Sequence, residues 1–198
     1  MFMRLSWSSG KCLLQYIFNC CIILNIMIDR ILTDSLSLKS RDFAVRWKDL
    51  IRNEPQLKHF QTRDDETLIE MDRHVYALLS RVLDRGLDRF VIGNYFVKLG
   101  KQRLHDGFPI SEVIYGLNLA HKVVIEYIMS DFAPENPMRM YQSLGALTRI
   151  AEFFLLGSFY LTKGFLEETY IGMNNHDQIS EELLRKYFKD DFFFKDNA

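Results

Sequence analysis

Apolar side chains return at three- and four-residue steps through most of the chain from Asp29 onward, which is the spacing of helices with one buried face. Between Asp29 and Arg52 the run is Ile31, Leu32, Leu36, Phe43, Trp47, Leu50 and Ile51, interrupted around Ser35, Ser37 and Ser40. Ser40 or Asp42 is placed to cap a second, stronger helix there, and Pro55 ends it. Leu57 to Arg63 reads as a connector. Asp64-Asp65-Glu66 supplies the capping signal for a helix with Leu68, Met71, Val75, Leu78, Leu79 and Val82 on one face, stopping near Gly86. Asp88 starts the next helix, in which Phe90, Val91, Tyr95, Phe96 and Leu99 are expected inward and Lys98, Lys101, Gln102 and Arg103 outward.

The sharpest punctuation falls in the stretch from Phe90 to Phe132, at Gly107-Phe108-Pro109. A glycine just past one periodic run and a proline just inside the next match the way helices end and begin, and Glu112 then sits in a first turn, facing the positive helix end. Behind that turn Ile110, Val113, Ile114, Leu117, Ala120, Val124 and Ile128 form one stripe, while Leu119, Val123 and Tyr127 line a second. A helix apolar over so much of its circumference, here Ile110 to Met129, is the centre of a bundle or is wedged between a core and a partner chain. Ala133-Pro134-Glu135-Asn136-Pro137 is a loop, since its two prolines stop any continuous helix.

A long run follows from Met138 to about Met173. Its core stripe is expected to be Leu144, Leu147, Ile150, Phe154, Leu155, Phe159, Leu161 and Phe165. Phe153, Leu156, Tyr160 and Leu166 fall partly off that stripe and need a second cover, which a two-fold dimer through this helix and part of the central one would supply. Phe153 and Tyr160 are therefore the interface candidates. Asn174 to Asp177 breaks the run, Ser180 opens a short last helix ending near Phe188, and the Phe192-Phe193-Phe194 cluster lies in the tail.

Ten glycines and four prolines leave little material for the closely spaced turns of a β fold, so the class is all-α. The body is one domain, residues 27–190, with a tail over 191–198. Residues 1–26 are unlike the rest. Cys12 to Ile28 carries no charge and admits three readings: a start codon placed too far upstream of Met27, a membrane anchor, or a secretory signal. Localisation is accordingly expected to be cytoplasmic, with anchoring through residues 12–28 as the alternative. All three cysteines, Cys12, Cys20 and Cys21, lie in that segment, so no disulfide framework or zinc cluster falls in the body.

A formal net charge of -1 with both signs interspersed offers no field to gather nucleic acid. No phosphate-cradling loop, nucleophile elbow, metalloprotease pair or dinucleotide fingerprint is present, and no enzyme activity is expected. Gly86, Gly93, Gly100 and Gly107 recur at two-turn intervals, which puts Gly93 and Gly100 on one helix face and admits close packing. His121 sits beside the main stripe of the central helix. It is the weak candidate for a cofactor ligand, against a core-edge histidine bonded to a neighbour. The sixteen Phe and nine Tyr fill a core, or line a pocket or dimer face.

Leu99-Gly100, Arg103, Gly107-Phe108-Pro109-Ile110, Glu112 and the aliphatic run after them resemble the N-terminal domain of the RsbR/RsbRD stressosome co-antagonists, with the resemblance extending over roughly Ile28 to Tyr170. It implies a globin-like, non-haem sensory domain that dimerises. Function is then expected to be non-catalytic: regulation in bacterial stress or two-component-type signalling, with STAS-domain, kinase or phosphatase proteins as further partners. No cofactor is implied, and the alternative is a globin-like sensor or carrier of haem or an apolar small molecule. Gly100, Arg103, Gly107, Pro109 and Glu112 are the residues of that pattern, and an Arg103–Glu112 ion pair across the turn is the expected geometry, unless both are merely solvated.

Overall fold

Short side chains of aspartate set where two of the helices begin. In the computed structural model, which describes residues 32–86, 88–131 and 137–174, Asp64 Oδ1 accepts the Thr67 N–H at 2.8 Å and opens α4, Asp65–Arg85. Asp88 Oδ1 accepts the Phe90 N–H at 2.9 Å and opens α5, Arg89–His105. Between them Gly86, at φ 94°, ends α4 in a conformation that side chains disfavour. Residues 32–38 form α1, and a turn at Lys39 leads into α2, Ser40–Asn53. Neither Ser40 nor Asp42 caps α2: Lys39 holds the cap position, without a side-chain bond. The connector holds a short α3, Lys58–Gln61, which periodicity cannot reveal in so few residues; Arg52 braces it by donating to the carbonyls of Gln61 and Arg63 at 2.9 and 2.6 Å. α6 spans Ile110–Asp131 and α7 Pro137–Asn174. The protein is an all-α helical bundle, with no strand among the described residues. The apolar segment 12–28, the expected helix at Ser180 and the three-phenylalanine cluster lie outside them.

The α5–α6 corner is built by the punctuation expected of it. Phe108 N–H bonds back to the Arg103 carbonyl and Gly107 N–H to that of Leu104, both at 3.0 Å, the reciprocal pair that closes a helix through a left-handed residue. Gly107 is that residue, at φ 79°. Pro109 stands immediately before Ile110 rather than inside the first turn, and its carbonyl accepts from Glu112 and Val113.

α5 and α7 run parallel and touch backbone to backbone. A Cβ on Gly100 would lie 2.1 Å from the Leu161 carbonyl oxygen, and one on Gly164 would lie 2.2 Å from that of Val97. Higher along the seam, a Cβ on Gly157 would meet the Phe96 ring at 2.8 Å. Gly157 and Gly164 repeat on α7 the two-turn spacing of Gly93 and Gly100 on α5, so both helices offer a smooth stripe to each other. Ion pairs fix the register at the far end, Lys101 to Glu167 at 3.3 Å and His105 to Glu168 at 3.0 Å.

α6 lies against both α2 and α7 and buries both of its stripes, including Val113, Leu117, Ala120 and Val124, and Leu119, Val123 and Tyr127. Trp47 on α2 donates its indole N–H to the Gly116 carbonyl of α6 at 2.8 Å. Aromatic rings join the layers, Phe43 to Tyr127 at 4.9 Å, Phe60 to Phe108 at 4.7 Å and Phe96 to Phe153 at 5.5 Å. Phe90 and Val91, expected inward, are exposed on the first turn of α5.

Replacing Gly100 or Gly164 by alanine gains about 1 kcal/mol of helix propensity but forces two backbones apart, at about 1–3 kcal/mol or more. Urea unfolding is expected to show a net loss for both, whereas Gly145→Ala, with nothing within 4 Å of the new carbon, should be neutral or stabilising. Equal effects at all three positions would mean that α5 and α7 do not meet this closely.

Candidate functional site

A buried carboxyl breaks the apolar interior. Asp72, on α4, is buried between Leu68 and Tyr76, each one turn away, and its Oδ2 has no hydrogen-bond partner among the described residues. It borders a cavity of about 30 Å³ where α2 to α7 converge, with Trp47, Phe60, Arg103, Val113 and Leu161 among the walls. That is room for a water molecule. Loss of solvation pushes the Asp72 carboxyl up to about 8, against the opposing pull of a hydrogen bond with Tyr76 and the charge of Arg103. Burial likewise pushes the Tyr95 hydroxyl up to about 12, with the Asp72 charge adding to it. Sequence reading missed Asp72. The signal was present: an aspartate at the core-facing step of the stripe that carries Leu68, Met71, Val75 and Tyr76.

Arg103 is the second ionisable group on the wall of this cavity, and the outward orientation expected of it is wrong. It is buried under the α5–α6 corner, bonds Asp106 Oδ2 through Nη1 at 3.0 Å and lies 5.8 Å from the centre of the Phe108 ring. Being so buried lowers its pKa. The expected Arg103–Glu112 pair does not form. Glu112 instead accepts from His59, the backbone N–H at 2.9 Å and ring Nδ1 at 2.8 Å, and so ties α3 to the start of α6. The physical reason is the closing turn, which folds Arg103 inward over Phe108 while α3 occupies the space in front of α6. Gly100, Gly107 and Pro109 act as backbone elements, in the helix seam and the corner. An open groove of about 740 Å³ runs between α4 and α5, along Met71, His74, Tyr95, Lys98 and Gln102; it shares Met71, Leu99 and Arg103 with the inner cavity.

His121 is half-buried, and its ring stacks on Phe154 at 4.8 Å with 27° between planes. Its Nε2 is buried without a hydrogen-bond partner among the described residues, and burial lowers its pKa, which favours the neutral ring. An axial bond to haem would require displacing what surrounds Nε2, with Phe154 already against one ring face. Among the described residues no group of three or more His, Cys, Asp or Glu side chains is gathered as a metal site.

On α7 the expected inner and outer faces are partly exchanged. Phe153, expected at an interface, is fully buried against Phe96 and Phe154. Leu144, Leu155 and Phe159, expected in the core, are exposed, Leu155 at 72% and Phe159 at 60%. Tyr160 is half-buried, edge-on to Phe159 at 5.1 Å. The glycine seam decides this orientation: once Gly157 and Gly164 face α5, Leu155 and Phe159 must point away. They border a shallow apolar groove of about 720 Å³ that reaches Ile114 on α6. The stretch Leu144–Met173 is also long and apolar enough to cross a membrane by length and composition alone, and its apolar 18-residue window is 33% buried inside the bundle.

Compared with protein-family models, with characterised proteins and with solved structures, the chain gives no significant match in any of the three.

Asp72 gives stability a definite pH dependence. The unfolded carboxyl ionises near pH ~4, whereas the folded one holds its proton to about 8. The folded state thus binds the extra proton across that window, and its stability falls as pH rises through it, by about 1.4 kcal/mol per unit. Asp72→Asn keeps the shape and removes the titration. Its advantage over the parent in urea melts should grow from pH 5 to 8 and level off above. A gap independent of pH would show that Asp72 is ionised in the fold.

Proposed function

We propose that this protein is a non-catalytic sensory or regulatory domain, acting in signalling of the bacterial stress-response type through dimerisation and contact with other proteins. The observation that carries the reading is the apolar ridge of α7, where Leu155 and Phe159 stand exposed side by side on one helix face and border an apolar groove. The similarity of the Gly100 to Glu112 stretch to RsbR-type sensory domains supports the same reading. In this account the α4–α5 groove gives a signal access to Arg103 and the Asp72 cavity, and α7 carries the output. STAS-domain, kinase or phosphatase proteins are the expected downstream partners, and a cytoplasmic setting suits them.

Light scattering of the full chain tests the central step. A mass of twice 23.5 kDa is expected at high micromolar concentration, and Leu155→Glu or Phe159→Glu should shift it towards monomer with an unchanged far-ultraviolet circular dichroism spectrum, since both side chains already face solvent. A strictly monomeric parent would overturn the reading.

A further inference from the structure

We infer that the ridge on α7 is shaped for a second copy of this chain, the two α7 helices packing antiparallel about a two-fold axis that passes beside residues 157 and 158. The inference rests on the reading of α7 as the contact helix of a dimer and adds the direction and register of the pairing.

Symmetry about that point is written along the helix. Leu155 and Phe159, the exposed apolar pair, straddle residue 157, and so do Thr148 and Leu166 further out on the same face. In an antiparallel two-fold pair, each residue before the axis faces the residue equally far beyond it. Leu155 therefore meets the partner's Phe159, and Phe159 the partner's Leu155. The flanking charges obey the same centre. Glu152 and Lys163 lie about three turns apart on one edge of the ridge, with opposite signs and a midpoint between 157 and 158.

Antiparallel pairing sets Glu152 opposite the partner's Lys163 twice over, whereas parallel pairing would place the charged edges of the two copies on opposite sides of the pair and form neither contact. Neither charge is firmly committed within the chain. Glu152 lies 3.6 Å from Arg89, which is itself mostly exposed, and Lys163 has no ion pair among the described residues. The same features disfavour a bilayer as the cover, because Glu152 and Lys163 fall well inside the stretch Leu144–Met173 and charge at such depth is costly. The opposite face of that stretch is also committed to α5 through Gly157 and Gly164.

Charge exchange at low ionic strength tests the register by sedimentation equilibrium. Glu152→Lys and Lys163→Glu should each weaken association about tenfold by placing two like-charge contacts in the dimer. Mixing the two single variants, or joining both changes in one chain, should restore association to within about twofold, since either arrangement re-forms two opposite pairs. If all variants dimerise like the parent, or the single variants weaken without rescue, the register is wrong while dimerisation stands. If Leu155→Glu has no effect and the parent is monomeric, both readings fall. Flotation of a monomeric parent with phosphatidylcholine vesicles would assign the ridge to a membrane instead.

Discussion

Between α5 and α7 there is no space for a methyl group, and the rest of the bundle is arranged around that fact. Gly100 and Gly164 each sit so close to a facing carbonyl that no other residue fits without moving a helix. The contact fixes the rotation of α7 about its axis, because the glycine side must face α5. Everything else on α7 follows from that rotation: Phe153 and Phe154 enter the core, Glu167 is drawn against Lys101, and Leu155 and Phe159 are left outside. Small residues thus decide where the large ones go, and the exposed ridge is a consequence of the seam as much as of its own sequence.

A second constraint sits at the centre. Asp72 occupies a position that an apolar residue of its size could fill, at a cost set by desolvation and only partly offset by Tyr76 and Arg103. Stability alone does not favour such a group. Its neighbour Arg103 is held by Asp106 at the α5–α6 corner, so the buried carboxyl is next to a cation that already has a partner nearer the surface. A charge appearing on Asp72 would compete with Asp106 for that guanidinium, and the corner that positions α6 would feel it. The polar interior and the corner thus have Arg103 in common.

The elements were legible at most of the places where the signal is local, the start of α2 at Lys39 instead of Ser40 or Asp42 being the exception. Asp64, Asp88, Gly86 and Gly107 mark helix ends by chemistry confined to a few residues, and the structure uses each as expected. Faces were legible only where apolar and polar positions segregate. α4 shows its core face plainly; α5 mixes Lys98, Lys101 and Arg103 with Phe96, Val97 and Leu104, and both Arg103 and Phe90 were assigned to the wrong side. α7 is apolar around most of its circumference, so periodicity could not choose between the Phe153 and Leu155 faces. The choice is made by a contact with α5, distant in sequence, and by glycines whose role depends on a partner glycine. Asp72 was missed for the opposite reason, as one polar residue within a clear apolar stripe passes for noise until its burial is known.

The proposed dimer contact and the glycine seam fall on the same helix. α7 is long, and its two sides do different jobs: one is pinned to α5 by backbone contact, the other offers side chains. A change that rotates or shifts α7 along the seam would move Leu155, Phe159, Glu152 and Lys163 together, as a rigid set. Close-packed interiors move between discrete arrangements more readily than they deform. The α5–α6 corner, with Arg103 beneath it, sits at the end of α5 where Lys101 and His105 reach Glu167 and Glu168 of α7. The end of α5 therefore carries both Arg103, on the wall of the Asp72 cavity, and the ion pairs that hold the helix presenting the ridge.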